Sequence, residues 1–470
     1  IKNIRKVVII LILKNEPVSK HSSQIVILSI VFTILVLFIT LIPFIYDVLM
    51  SVKEYSPAKG ILNSPNIGLE NYKNIFNSNY FSKILTNTIV QSLLFSMFLF
   101  ILSVILGFII VSLPSHSILS NVIVTLTLIP IFIPDVVYVS WFIHLPLTIK
   151  PFIVKANVAV WFIPLIRAIK YIGIPVLVTS VFNEIKEGKD FLLPLKSGTC
   201  FAFFSIMFIT INDFTITYLV ANPMIHQATD SFNLFVYRKG FLNGEFSNAS
   251  AVAIISRLFC FLSVMIFFIP FIILAKNLFT PRKTLNTVSY DRNKPRITYE
   301  KKILSTVIAI ILILIIAVLP YMIKGINIFD ISAVSTLLKN SNTIASFPLY
   351  ILISLIAAII NVCLAAILAY PIVCGKRNIK RFSIILIILI AIIVSVPINN
   401  GVYMLLRNLG VINTVYAVLL GLISPIAGVF AFAAIGNSKN APESMSYAEA
   451  ISTPSIALVL VQMVNCFNNF

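Results

Sequence analysis

The chain has 470 residues, of which 59% are hydrophobic and only 11% charged. A soluble domain is roughly half apolar and a quarter charged, so an ordinary soluble globule is excluded and an all-α polytopic membrane protein is implied. The formal net charge of +19 is read as an excess of Lys and Arg on cytoplasmic segments rather than as a surface for nucleic acid.

The N-terminus is basic (Lys2, Arg5, Lys6, Lys14, Lys20), and its first apolar run, "VVIILIL", is too short to span. No cleavable signal is evident before the run from about 25 to 50. A membrane helix needs about 20 apolar residues. That rule gives eleven candidate spans, at 25–50, 86–113, 118–142, 154–182, 199–221, 250–275, 303–323, 343–373, 382–405, 413–435 and 454–470. The last is read as incomplete. "NIGLENYKNIF", between the first two spans, has the pattern of a short interfacial helix. With the N-terminus inside, the cytoplasmic segments include 276–302, with eight Lys and Arg, and "GKRNIKR" at Gly375–Arg381. The basic stretch 281–302 is the natural linker between a first domain, 1–280, and a second, 303–470. The five cysteines are scattered without a CxxC, which predicts neither a disulfide framework nor a metal site. No phosphate-cradling P-loop, HExxH or GxSxG occurs, so no cofactor is expected on this chain and it is not expected to be an enzyme. The four histidines lie far apart, in loops or near helix ends, and are read as incidental.

Two short words recur. "NTI" stands at Asn87–Ile89 and Asn342–Ile344, and "INDF" at Ile211–Phe214 is echoed by "FNNF" at Phe467–Phe470. The offsets are 255 and 256 residues, and the words fall at matching places in a matching topology. The expectation is a tandem duplication: two parallel, pseudo-symmetric repeats of about six transmembrane helices, related by an axis along the membrane normal. Polar residues inside membrane helices face the bundle interior or a cavity. Asn212, Asp213, Asn468 and Asn469 are therefore candidates to line a translocation path, with interhelical hydrogen bonding as the alternative. Asp213 is read as the only deep acid, and Arg257 as the only basic residue well inside a span.

The order of several segments resembles the permease subunits of binding-protein-dependent ABC importers of the carbohydrate-uptake type. They are Gly68–Val111, the proline pair within "TLIPIFIPDVV", Asp230–Ile255, "AAILAYPI", "GKRNIKR" and "LLRNLGVINTVYAVLL". The resemblance covers nearly the whole chain, with two permeases fused in one. It implies the type I importer permease fold, two ATP-binding cassette subunits on the cytoplasmic side with ATP and Mg bound there, and an extracytoplasmic solute-binding protein. It also implies a bacterial plasma membrane and a sugar or oligosaccharide as solute. Such fusion is more usual among ferric-iron and thiamine importers, which stay open as alternatives.

The family's coupling loop precedes the fifth span and docks on the ATPase. Glu184, Glu187 and Leu193–Pro194 fit its pattern in the first half, and Pro442, Glu443, Glu449 and Ala450 in the second. Neither half carries the family's D-G-A, and both loops are short. The expectation is that stretches of the chain are missing here, a degenerate permease being the alternative. Apart from any family, a carboxylate-bearing inside loop between two spans is a lever on the span that follows. Two other classes remain: an ion-coupled secondary transporter, which would need a charged relay in its spans, and a membrane scaffold or enzyme subunit without transport.

Overall fold

The structure is a computed structural model. It describes residues 23–113, 117–133, 155–185, 192–208, 214–279, 341–396, 400–412 and 414–436, with single residues among 135–142 and 455–466. In chain order the helices are α1 (Ser23–Ser51), α2 (Gly60–Asn63), α3 (Glu70–Asn77), α4 (Asn79–Ser112), α5 (Ile118–Phe132) and α6 (Ala156–Tyr171). There follow α7 (Gly173–Ile185), α8 (Leu193–Met207), α9 (Thr215–Val220), α10 (His226–Thr229) and α11 (Phe232–Tyr237). A π-helical turn at Arg238–Leu242 leads to α12 (Phe246–Phe279). The chain then forms α13 (Ser341–Cys374), α14 (Arg377–Ile393), α15 (Asn400–Asn408), α16 (Val415–Leu422) and α17 (Ile426–Gly436).

The protein is all-α. Among the described residues, five helices are long and apolar enough to cross a membrane: Gln24–Ser51, Asn79–Ser112, Ala156–Asn183, Phe246–Leu274 and Pro348–Cys374. In hydrocarbon every backbone N–H and C=O needs an internal partner, and a helix supplies one within its own segment. Prolines inside α1, α12 and α13 are compatible with this, because neighbouring helices relieve the groups they free.

Several expected spans are not continuous rods. The run 154–182 is divided at Ile172 into α6 and α7, beside which α5 passes so close that a Cβ on Gly173 would lie 2.4 Å from the Thr127 carbonyl oxygen. The run 413–435 is two helices broken at Ile423–Pro425. The break is tolerated because buried Asn361 bridges it: its Nδ2 donates to Leu422 O (3.0 Å) and its Oδ1 accepts from Ser424 N (2.7 Å). The run 382–405 likewise divides into α14 and α15.

Packing divides the chain into two compact units. One comprises Ile1–Asn77, Phe235–Phe259 and Ile331–Phe470; the other comprises Ser78–Leu234 and Cys260–Asp330. In the first unit α1 packs on α13, α14 and α15, and α13 also packs on α16 and α17. Its core centres on the small-residue face of α13 (Ala365, Ala366, Ala369) against Val26, Val429 and Phe432. Small side chains let membrane helices approach closely, which is where their packing energy arises. In the second unit α4 is the hub for α6, α7 and α8, with Phe95, Leu99, Ala168 and Val176 in one cluster. A repeat along the chain and a unit in space are different divisions, and neither decides the other.

Candidate functional site

Most residues singled out from the sequence lie outside the described residues: Glu187, Asn212, Asp213, Pro442, Glu443, Glu449, Ala450, Asn468 and Asn469. The backbone of Glu184 is in the last turn of α7, and its side chain lies outside them. What the structure does describe is the frame on either side of the first carboxylate loop. Helix α7 ends at Ile185 and α8 begins at Leu193. The two helices pack on each other, and Ser197 Oγ on α8 donates to Pro175 O on α7 (2.9 Å). Pro194 occupies the first turn of α8, where a missing N–H costs nothing. It presses on α4 so tightly that a Cβ on Gly107 would lie 2.8 Å from its own Cβ. Leu193 is buried against Phe182, Phe271 and Leu274. The start of α8 is thus wedged, and its far end packs through Phe204 on Phe271, four residues before Phe208, from which the chain runs on toward Asn212 and Asp213.

The N-T-I word acquires a role in the same unit. Asn87 Nδ2 donates to the carbonyls of Gln227 (2.9 Å) and Asp230 (3.1 Å). Thr88 Oγ1 accepts from Phe232 N (3.2 Å), and Gln91 Nε2 donates to Thr229 O (3.1 Å). One helix face therefore satisfies the orphan backbone groups of α10 and the turn after it. The second copy's side chains, at Asn342–Ile344, lie outside the described residues.

The structure corrects the reading of charge inside the spans. Arg257 is not the only basic residue well inside a span, since Arg167 and Lys170 stand mid-way along Ala156–Asn183. Asp47, Asp135, Arg167 and Lys170 are all buried. In the first unit, Asp47 Oδ2 accepts from Arg257 Nη2 (2.8 Å) and Oδ1 from Gly401 N (2.8 Å), with a further bond to Ser250. Arg257 Nε donates to Ile393 O (2.9 Å) and its guanidinium lies 5.5 Å from the Phe44 ring centre. Asn400 Nδ2 donates to Ser250 Oγ and Phe246 O, both at 3.0 Å. One carboxylate thus joins α1, α12 and the start of α15, where the N-terminal end of a helix dipole also favours it. In the second unit, Lys170 donates to Asp135 and to Ile133 O. Arg167 lies over the Phe95 ring at 4.7 Å.

The signal for these pairs was available. Asp47, Asp135, Arg167 and Lys170 all stand within candidate spans, and a charge there needs a partner. Which charge pairs with which was not legible, since Asp47 and Arg257 are 210 residues apart. Chemically, such pairs hold helices in register. Among the described residues they form two separate pairs, Asp47–Arg257 and Asp135–Lys170.

Tyr55, Phe246, Tyr403, Phe241 and Tyr237 form a run of ring contacts with centroids 5.7–6.1 Å apart. Glu245 accepts from Lys239 (2.7 Å) and Asn248 (3.2 Å). Burial pushes its carboxyl upward, but these bonds and the Lys239 charge outweigh burial and hold it below the usual value.

No protein-family model matches this chain, and no curated protein does either.

Proposed function

We propose that the chain is the transmembrane permease of an ATP-driven, binding-protein-dependent importer in a bacterial plasma membrane. Its N-terminus is cytoplasmic, and two fused parallel halves form a path for a small hydrophilic solute, most suitably a sugar or oligosaccharide. Two ATP-binding cassette subunits supply ATP and Mg on the inside, and an extracytoplasmic solute-binding protein delivers the cargo. The observation that carries this reading is the frame around residues 186–191. A carboxylate-bearing stretch joins two helices packed on each other, and the second is wedged at its start by Leu193 and Pro194 and leads to Asn212 and Asp213. Force applied at the loop has a stiff route into α8. Each N-T-I helix packs on later helices of its own half, α4 on α6–α8 and α13 on α14, α16 and α17.

The test is co-purification with an ATPase, followed by ATP-dependent uptake into vesicles. Glu443→Lys with Glu449→Lys should leave ATP hydrolysis running while uptake falls at least about tenfold, a loss of about 1.4 kcal/mol of coupling. Unchanged uptake at normal expression would count against the lever. A second reading, an ion-coupled secondary transporter, draws support from the buried pairs Asp47–Arg257 and Asp135–Lys170. It predicts uptake driven by an ion gradient in vesicles of the chain alone, without nucleotide. The ferric-iron and thiamine alternatives are separated from the sugar by which solute the co-purified binding protein retains.

A further inference from the structure

Residues 52–77 leave the membrane-capable helix α1 and do not form a loose loop. Lys53 and Asn66 make an antiparallel bridge, Glu54 N donates to Pro65 O and Ile67 N to Val52 O, both at 3.0 Å. Lys53 Nζ, which could have faced water, instead donates to Ile61 O (2.7 Å) and Leu62 O (3.1 Å). Helix α3 is then fixed to the end of α1. Asn71 Nδ2 donates to Ser51 O (2.9 Å), a carbonyl that the end of α1 leaves open, and to Lys53 O (3.2 Å) just beyond it. Tyr72 Oη donates to Ser51 Oγ (2.8 Å). Helix α3 therefore sits at the level where α1 ends.

The outward side of this cap carries three large apolar side chains among polar and charged ones, the acids Glu54 and Glu70 included. In α3 the buried residues are Asn71 and Ile75, one turn apart. At 100° per residue, Leu69 just before the helix, Lys73 and Phe76 fall together on the opposite side. Leu69 is 64% exposed, Phe76 60%, and Leu62 in the neighbouring turn 86%. Lys59 and Lys73 are the exposed cations of the segment. A rigid platform that places large apolar side chains and lysines in the open, at the level where a membrane helix ends, matches the headgroup layer of a bilayer. There the apolar groups enter the acyl boundary, and lysine stems lie along it with their charge at the phosphates.

We propose that the Leu69–Lys73–Phe76 face of α3, with Leu62, is an interfacial anchor that inserts into the lipid headgroup layer and fixes the depth of α1. This stands independently of the solute and of the energy source. The commitment to lipid, rather than to a soluble partner, rests on the tie between α3 and the end of α1. A face held at that level meets the headgroup layer whether or not a soluble partner is present.

The experiment uses the full chain in vesicles of phosphatidylcholine with phosphatidylglycerol. Single cysteines are introduced as Leu69→Cys, Phe76→Cys and Asn74→Cys and labelled with an environment-sensitive nitrobenzoxadiazole. The parent chain labelled in parallel gives the background from its own thiols. Asn74 is exposed on the flank of α3, away from the apolar face. The labels at 69 and 76 should emit blue-shifted light and be quenched by shallow spin-labelled lipids about twofold more than the label at 74. Equal quenching at all three sites, or an aqueous spectrum at 69 and 76, would overturn the anchor. So would a blue shift that appears only when a soluble extracytoplasmic fraction is added, since that would assign the face to a protein.

Discussion

Replacing Asp47 by alanine should destabilise the protein more than replacing its partner Arg257. Asp47→Ala removes the acceptor of Arg257 Nη2 and of Gly401 N, along with the bond to Ser250. It leaves a buried guanidinium with the Ile393 carbonyl and the Phe44 ring, and Nη1 already finds no acceptor among the described residues. Breaking a buried pair from one side costs about 3–5 kcal/mol, and the missing compensation puts Asp47→Ala at the upper end. Arg257→Met leaves the carboxylate with the Gly401 N–H and the Ser250 bond, so its cost falls at the lower end, about 3 kcal/mol. The double change Asp47→Leu with Arg257→Met removes both charges and should cost less than either single change, because a buried pair and an apolar pair of similar volume are often nearly equal. Thermal unfolding in detergent, followed with a thiol-reactive dye, reads this directly, since Cys200, Cys260, Cys374 and Cys466 are buried thiols. A loss below about 1 kcal/mol for Asp47→Ala, or a double variant that equals the sum of the singles, would refute the reasoning.

Gly401→Ala should be among the most damaging single substitutions in the first unit, because its Cβ would lie 1.9 Å from the Pro43 carbonyl oxygen; the expected loss is about 3 kcal/mol or more. Gly410→Ala, at φ +69° with open space around it, should cost only about 1–2 kcal/mol of backbone strain in the same unfolding assay. Asn361→Leu strands Leu422 O and Ser424 N and should lower stability by about 1–3 kcal/mol per group; full retention of the thermal midpoint would mean that Asn361 does not hold the α16–α17 break. For Glu245 the folded carboxyl titrates below its unfolded value of 4.5. Its contribution is present above that value and is lost as pH falls through the lower, folded one. Between about pH 5 and pH 3, Glu245→Gln should therefore flatten part of the fall in thermal midpoint that the parent chain shows; identical curves would speak against the Lys239–Glu245 bond.

The class of structure was legible from composition alone, because a chain this apolar has few ways to satisfy its backbone other than helices. What hydropathy could not reveal is where an apolar run stops being one rod. The close approach of α5 at Gly173 is set by helix packing, and the break at Ile423–Pro425 depends on Asn361 standing 61 residues earlier in the chain. Both are tertiary facts with no local mark beyond a glycine and a proline. The N-T-I word was legible as a repeat but not as a clasp, since its partners at 227–232 are ordinary backbone. The deep charges were legible as residues and were passed over as a pattern. Asp47 stands near the end of its span and Lys170 in the middle of another, and only contact with Arg257 and Asp135 shows them to be internal. The path and coupling residues rest on sequence, with the wedged start of α8 as the structural fact nearest to them.

The clustering of Asp47 with Arg257 and Gly401 also sets a timetable. Helix α1 is made before α15, and the backbone N–H that donates to Asp47 is encoded 354 residues later. At about 5–20 residues per second of synthesis, α1 waits on the order of 20 to 70 s for that partner. In the second unit the partners Asp135 and Lys170 stand only 35 residues apart, so that pair meets no such delay. During the wait the carboxylate lies only four residues from the end of α1, close enough to water to stay solvated. A carboxylate at the centre of the same helix would have had nowhere to stand. The position of Asp47 along α1 thus reconciles a charge that the finished protein encloses with a newborn helix that must enter the membrane without it being neutralised.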